Sequence, residues 1–328
     1  LVAEKVRLAL NQPYSLSLNE TKFHGTTSIG LTLFRGQDAS VDLLLKQADV
    51  ALYQAKDAGR NLVRFFNPAM QAAIDSRAMM EAALRHALDH GEFRLYYQPQ
   101  VDQYDRLVGA EALLRWLPPD QEMVTPDVFI PLAEDTGLIL PIGQWVLDTA
   151  CAQLKAWEAD PRTEALHLSV NVSARQFHQQ DFVESVQHSL LSSGINPARL
   201  KLELTESVVL DDVDRVVSRM LQLNALGVRF CLDDFGTGYS SLSYLKRLPL
   251  DQVKIDQSFV RDVTDDQNDA AIVCAIMAMS RSLGLQVIAE GVETQAQRDF
   301  LLQNDCTVYQ GFLFCKPLPI DEWGSLLG

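Results

Sequence analysis

From Gly91 onward the sequence alternates short apolar runs with helical stretches. That rhythm constrains the fold most, because strand–helix–strand repeats bury their apolar faces only as a largely parallel sheet covered by helices. Strand-like runs read at 95–101, 109–115, 167–172, 200–204, 228–233, 252–255, 286–289 and 307–310. From the third to the eighth, helical stretches intervene at 182–191, 213–226, 239–245, 270–282 and 294–303. The first two runs are separated only by a few residues around Tyr104 and Arg106, too few for a parallel crossover, so they read as an antiparallel hairpin. The pattern predicts an α/β fold, a modified TIM (β/α)8 barrel with an antiparallel first strand pair. Chemistry is then expected at the C-terminal ends of the parallel strands.

Polar groups stand at nearly every one of those ends. The third run carries Asn171 in S-V-N-V-S, and the fourth carries Glu203 and Glu206 in L-E-L-T-E-S. The fifth ends in the vicinal pair Asp233 and Asp234 of C-L-D-D-F-G-T-G-Y-S-S, the sixth supplies Lys254 and Asp256, the seventh Glu290 and Glu293, and the eighth Gln310. The hairpin adds Glu111 and Arg115 in G-A-E-A-L-L-R-W. Each has a structural reading on its own: Glu111 facing solvent from an edge strand, Lys254 snorkelling, Glu203 paired with Lys201 or Arg229, Asn171 capping a turn. Together, Glu111, Glu203, Asp233, Asp234 and Glu290 would repel one another severely unless cations sat among them. Vicinal carboxylates cannot point the same way from one strand, so one can bridge two cations while the other serves one. Oxygen donors without histidine favour Mg²⁺ or Mn²⁺ over zinc. Two such cations, roughly 3.5 to 4 Å apart, would clamp a phosphodiester and activate water. The reaction class is metal-assisted phosphodiester hydrolysis.

Charge narrows the substrate. Twenty-eight basic against 43 acidic residues leave a net charge of −15, which disfavours a DNA or RNA polymer. A small anionic nucleotide remains compatible, because bound cations invert the local field. The five cysteines (Cys151, Cys231, Cys274, Cys306, Cys315) are scattered and lack C-x-x-C spacing, so they read as packing residues of a reduced, cytoplasmic protein. No apolar run approaches the roughly 20 residues of a membrane helix, and residues 1–7 read as an amphipathic helix rather than a signal peptide. Any membrane attachment is expected in regions upstream of Leu1.

Residues 1–66 offer a helix to about Leu10, strands at 14–18 and 24–34, a helix at 41–56 and a strand at 61–66, too little material for a comfortable core. The runs T-S-I-G-L (27–31), A-D-V-A-L-Y-Q-A-K (48–56) and G-R-N (59–61) resemble the C-terminal portion of a GGDEF domain, the diguanylate cyclase family. The signature that in that family binds metal and GTP does not occur in this sequence, so no cyclase function carries over. Residues 67–90, rich in Ala and Met, read as a connecting helix, and 91–328 as a separate barrel domain.

That barrel resembles the EAL family, phosphodiesterases that linearise cyclic di-GMP to pGpG. The likeness rests on Y-Q-P (97–99), E-A-L-L-R-W (111–116), A-E-D-T-G-L-I (133–139), N-V-S, E-L-T-E-S, D-D-F-G-T-G-Y-S-S, K-I-D, E-G-V-E and Q-G-F-L-F-C-K-P (310–317). The resemblance implies that Glu111, Asn171, Glu203 and Asp233 hold one metal, and that Asp233 bridges to a second completed by Asp234 and Glu290. It implies Lys254 beside the attacking water, with Glu111, Glu290 and Asp234 sharing in catalysis. Arg115 and the Leu114 backbone would contact a phosphate, and Gln98, Asp256 and Gln310 would orient substrate. Glu206, with Glu293, would anchor the loop whose glycines are Gly236 and Gly238. It further implies two Mg²⁺ or Mn²⁺ per site and a homodimer through the barrel; Ca²⁺, which takes the same oxygens but fits octahedral chemistry poorly, is expected to inhibit. No metal-ligand or lysine position departs from the family pattern, so hydrolysis is expected over the alternative, a silent cyclic di-GMP receptor.

Overall fold

The computed structural model describes residues 2–15, 22–36, 39–119, 121–210, 212–236 and 242–326. The chain forms two compact units, Leu1–Ala83 and Leu84–Gly328.

In the first unit, α1 (Val2–Leu10) leads to β1 (Tyr14–Ser15), paired antiparallel with β2 (Lys22–Phe23). β3 (Ile29–Leu31) pairs parallel with β4 (Val63–Phe65) across α2 (Val41–Asp57). Ser40 caps α2 by accepting from the Leu43 amide. The helix lies close on β3 because Gly30 has no side chain: a Cβ there would meet Ala48 O and Leu52 N at 2.2 Å. Among the described residues of this unit only Val50, Ala51 and Ala55 are buried hydrophobics, a thin core of the kind the sequence suggests. Strands are shorter than expected, and residues 16–18 of the first lie outside the described residues. The Ala/Met-rich segment is a single helix, α3 (Pro68–His90).

The second unit is the barrel. Its strands are β5 (Phe93–Asp102), β6 (Leu107–Trp116), β7 (His167–Asn171), β8 (Leu200–Thr205), β9 (Arg229–Phe235), β10 (Gln252–Ile255), β11 (Gln286–Ala289) and β12 (Val308–Tyr309). β6 to β12 run parallel, and β5 is antiparallel to both β6 and β12, which closes the sheet on itself. A short β13 (Leu318–Pro319) adds to the free part of β5. The reversal at β5 follows from its turn, where Asp102 Oδ1 accepts from the Tyr104 and Arg106 amides and Asp105 takes a positive φ.

Helices α4 (Pro126–Thr136) and α5 (Ile139–Trp157) fill the connection between β6 and β7, where the sequence reading named none. The nine buried residues of α5, from Ile139 and Ile142 to Leu154 and Trp157, recur at helical spacing and form one apolar face against the barrel. The remaining connections carry α6 (Ala174–Phe177), α7 (Phe182–Ser193), α8 (Glu206–Leu210), α9 (Val213–Ala225), α10 (Leu242–Leu245), α11 (Gln257–Arg261), α12 (Gln267–Leu283) and α13 (Gln295–Gln303). Reciprocal capping boxes start α6 (Ser173 with Gln176) and α13 (Thr294 with Gln297), fixing where the chain leaves β7 and β11. The expected helix at 239–245 is seen over Leu242–Leu245, and 239–241 lie outside the described residues.

Candidate active site

Parallel pairing places the acidic positions in a staircase. Glu111 is the register partner of Ser169 and Glu203 of Cys231, so Asn171 and Asp233 each lie two residues further along the next strand, while Asn171 and Glu203 stand directly opposite each other. Strand stagger of this kind is what closes a barrel, and it keeps inward-facing residues on one mouth. At that mouth Lys254, 1% exposed, is ringed by carboxylates. Its ammonium lies 2.5 Å from Glu290, 2.7 Å from Glu203, 3.2 Å from Glu111 and 3.3 Å from Asp233. All four acids therefore have an oxygen within 3.3 Å of one nitrogen.

The structural alternatives fail for these residues. Glu111 is 4% exposed and faces inward, taking bonds from Asn171 at 2.6 Å and Gln310 at 2.6 Å besides Lys254. Glu203 pairs with Lys254 rather than with Lys201 or Arg229. Asn171 spends its amide on Glu111 rather than on a turn. Lys254 does not snorkel, since its charge is held inside.

The vicinal pair is resolved by a bulge. Pairing of β9 with β10 runs Leu232 to Val253 and then Phe235 to Ile255, so an extra residue sits opposite Lys254. Asp234 takes it up with φ +54°, its amide bonding Asp233 Oδ1 at 2.9 Å. β9 thus continues through both acids to Phe235, beyond the expected end at Asp233.

Electrostatics follow from burial and crowding. Burial pushes the Glu203 carboxyl up to about 8, with Glu111 and Asp233 adding to the rise and Lys254 opposing it. Glu290 and Asp233 are raised by burial in the same way. Burial, Asp233 and Asp256 bring Asp234 to about 6. For Glu111 burial also raises, but the Lys254 charge and the bonds from Gln310 and Asn171 outweigh it and hold it below its ordinary value. Lys254 is the converse case: burial lowers it, and the four carboxylates together raise it well above an ordinary lysine.

Among the described residues no three His, Cys, Asp or Glu side chains stand spaced as a ready metal cage, because the acids converge on an ammonium. The donor set nevertheless suits a hard divalent cation. Glu203 Oε1 is buried without a partner, the donors are all oxygens, and four acids exceed the one lysine.

The other candidate residues are placed as follows. A cleft of about 380 Å³ is lined by Gln98, Glu111, Arg115, Asp233, Lys254, Glu290, Glu293 and Gln310. Gln310 links Gln98 at 3.1 Å to Glu111. Arg115 lies 5.8 Å from the Tyr96 ring centroid and donates to the Leu114 carbonyl. Asp256 caps α11 through the Ser258 amide. Glu293 is exposed at the rim. Glu206, 5% exposed, accepts from the Tyr244 hydroxyl at 2.7 Å, close after 237–241, and Gly238 lies outside the described residues. The cleft also includes Gln257 and Phe312, which the sequence reading left unassigned. Phe312 is 54% exposed, with Lys316 Nζ 5.3 Å from its ring. An aromatic two residues past a strand end, within Q-G-F-L-F-C-K-P, was the available signal.

The EAL domain profile matches residues 81–317, and that of the diguanylate cyclase GGDEF domain matches residues 2–62. The chain belongs to the EAL domain family. This EAL chain is 44% identical to the bifunctional diguanylate cyclase/cyclic di-GMP phosphodiesterase MucR of Pseudomonas aeruginosa over 322 residues, 98% of this chain and 47% of MucR. It is 41% identical over 296 residues to an uncharacterized signaling protein of Caulobacter vibrioides, covering 90% of this chain and 36% of that one. It thus spans less than half the length of these curated relatives. The EAL barrel is similar to the solved PaMucR phosphodiesterase in complex with c-di-GMP, with TM-score 0.72 and 46% identity over 74% of this chain and 99% of that one. No helix among the described residues is long and apolar enough to cross a membrane.

Proposed function

We propose that this chain hydrolyses cyclic di-GMP to linear pGpG at the Lys254 cleft, adding one water across a phosphodiester P–O bond. The observation that carries the reading is the convergence of Glu111, Glu203, Asp233 and Glu290 on one point at the C-terminal mouth of an EAL barrel. Support comes from the 46% identity to a solved phosphodiesterase whose complex contains c-di-GMP.

In this reading Glu111, Asn171, Glu203 and Asp233 would hold one Mg²⁺ or Mn²⁺, and Asp233, Asp234 and Glu290 would hold a second. When bound, such ions lower the pKa of water and stabilise charge on phosphoryl oxygens. The protein's own groups do the rest. Lys254, kept protonated by its carboxylates, supplies a fixed positive charge that favours a hydroxide nucleophile beside it. Gln310 and Asn171 hold Glu111 in one orientation, so the acid is preorganised. Arg115 with the Leu114 backbone faces a phosphate, while Gln98, Asp256 and Gln310 position the nucleotide. Glu206 with Tyr244 steadies the chain on one side of the 237–241 stretch, and Glu293 does so at the rim. A homodimer through the barrel belongs to the same proposal, checked by light scattering on the eluting protein.

The test is incubation with cyclic di-GMP and Mg²⁺, resolving products by chromatography. Formation of pGpG, its loss with EDTA, and its loss in Glu111→Ala are expected. Tight binding with no pGpG would instead indicate a receptor. Ca²⁺ takes the same oxygens in looser geometry, so it should inhibit; equal rates with Ca²⁺ and Mg²⁺ would overturn the ligand assignment.

A further inference from the structure

The N-terminal mouth of the barrel, at the far ends of the same strands, opens on a second cavity of about 340 Å³. Its wall carries Lys201, Arg229, His167, Gln100, Gln252 and Gln286, and it shares no lining residue with the Lys254 cleft. Lys201 on β8 is the register partner of Arg229 on β9, so two cations stand directly across from each other. Like charges in that position repel and destabilise a sheet. Lys201 is only 7% exposed, and its ammonium donates to Gln252 Oε1 at 3.0 Å.

Among the described residues no carboxylate lies within ion-pair distance of Lys201 or Arg229; the acid of the same strand, Glu203, is committed to Lys254. Asp251 acts on Lys201 from further off, and its Oδ2 accepts from the Phe230 amide. A buried ammonium loses its hydration, and a single neutral amide oxygen offsets little of that loss. The positive field reaches a third group: burial, together with Lys201, Arg229 and Arg199, pushes the His167 imidazole down to about 4.

We propose that this mouth is an anion-binding site, distinct from the catalytic cleft, that takes a small tetrahedral oxyanion of the phosphate class between Lys201 and Arg229. An ammonium point charge and a guanidinium fork suit such an oxyanion together. The neutral His167 ring and the amides of Gln100, Gln252 and Gln286 give the same cavity polar walls.

The experiment is calorimetric titration of inorganic phosphate into the full chain at constant ionic strength with EDTA present, a condition in which the acidic cleft repels anions. Saturable binding of one phosphate per chain is expected in the wild type and in Glu111→Gln. Affinity should fall at least tenfold in Lys201→Met and in Arg229→Gln. Absence of saturable binding in the wild type, or unchanged affinity in both variants, would overturn the site. Arg229 is half-buried, so Arg229→Gln decides the matter if Lys201→Met fails to fold. Either result leaves cyclic di-GMP turnover at the opposite mouth to be judged by its own assay.

Discussion

At the C-terminal mouth four carboxylates surround one buried ammonium, whereas at the N-terminal mouth a buried ammonium faces a guanidinium with no carboxylate in reach among the described residues. The same strands build both ends. β8 carries Lys201 and Glu203 two residues apart on one face, and β9 carries Arg229 and Asp233 four apart. Charge is thus sorted along the barrel axis: excess negative where divalent cations are proposed, excess positive where an oxyanion is proposed. A barrel interior tolerates surplus charge at its ends, where an ion from solvent can complete the balance.

The sharpest way to break this contrast is to remove the cation from the acidic end. Lys254→Met leaves Glu111, Glu203, Asp233 and Glu290 facing one another, and breaking a buried ion pair costs about 3–5 kcal/mol. Urea unfolding in EDTA should show a loss of that size, and added Mg²⁺ should stabilise the variant more than the wild type. An unchanged midpoint would mean that the carboxylates are not held together by Lys254.

A second, smaller effect concerns the basic end. His167 sits near 4 in the fold against an ordinary value of about 6.5. Between those values the unfolded chain binds the extra proton, so stability falls as pH drops through about 6.5 toward 4 and is whole above that window. Allowing for screening of this partly exposed ring, the loss from pH 7 to pH 5 should be about 1 kcal/mol. Comparing urea midpoints with His167→Gln isolates it: the variant should show a shallower decline, and identical slopes would remove the positive field from the account.

The smallest effect sharpens the comparison from the other side. Lys201→Glu would place an acid opposite Arg229, turning a repulsive cross-strand pair into an attractive one worth about 0.2–1 kcal/mol. Phosphate-free thermal melts should rise slightly, and the phosphate titration should lose its signal. A fall in stability would show that the N-terminal mouth already balances Lys201 in a way its neighbours do not reveal.

The sequence carried the barrel because strand–helix alternation and the few residues between the first two strands are local features. It also carried the list of polar residues at the strand ends. Helix α5 went unnamed although its buried positions keep helical spacing, and β9 runs past Asp233 because the bulge at Asp234, a matter of pairing with β10, lengthens the strand. Gln257 lines the cleft with no mark in its immediate neighbours, whereas Phe312 carried a local signal in its place just past β12.

By itself, the order of residues determined which chemical groups exist and on which strand each rides. Only the tertiary structure decided that Lys254 is the point on which four acids meet, that Glu203 answers to it rather than to Lys201 or Arg229, and that those two bases are left facing each other. The physical reason is register: partners across a barrel are set by strand stagger summed around the closed sheet, a long-range quantity that no short stretch of chain encodes.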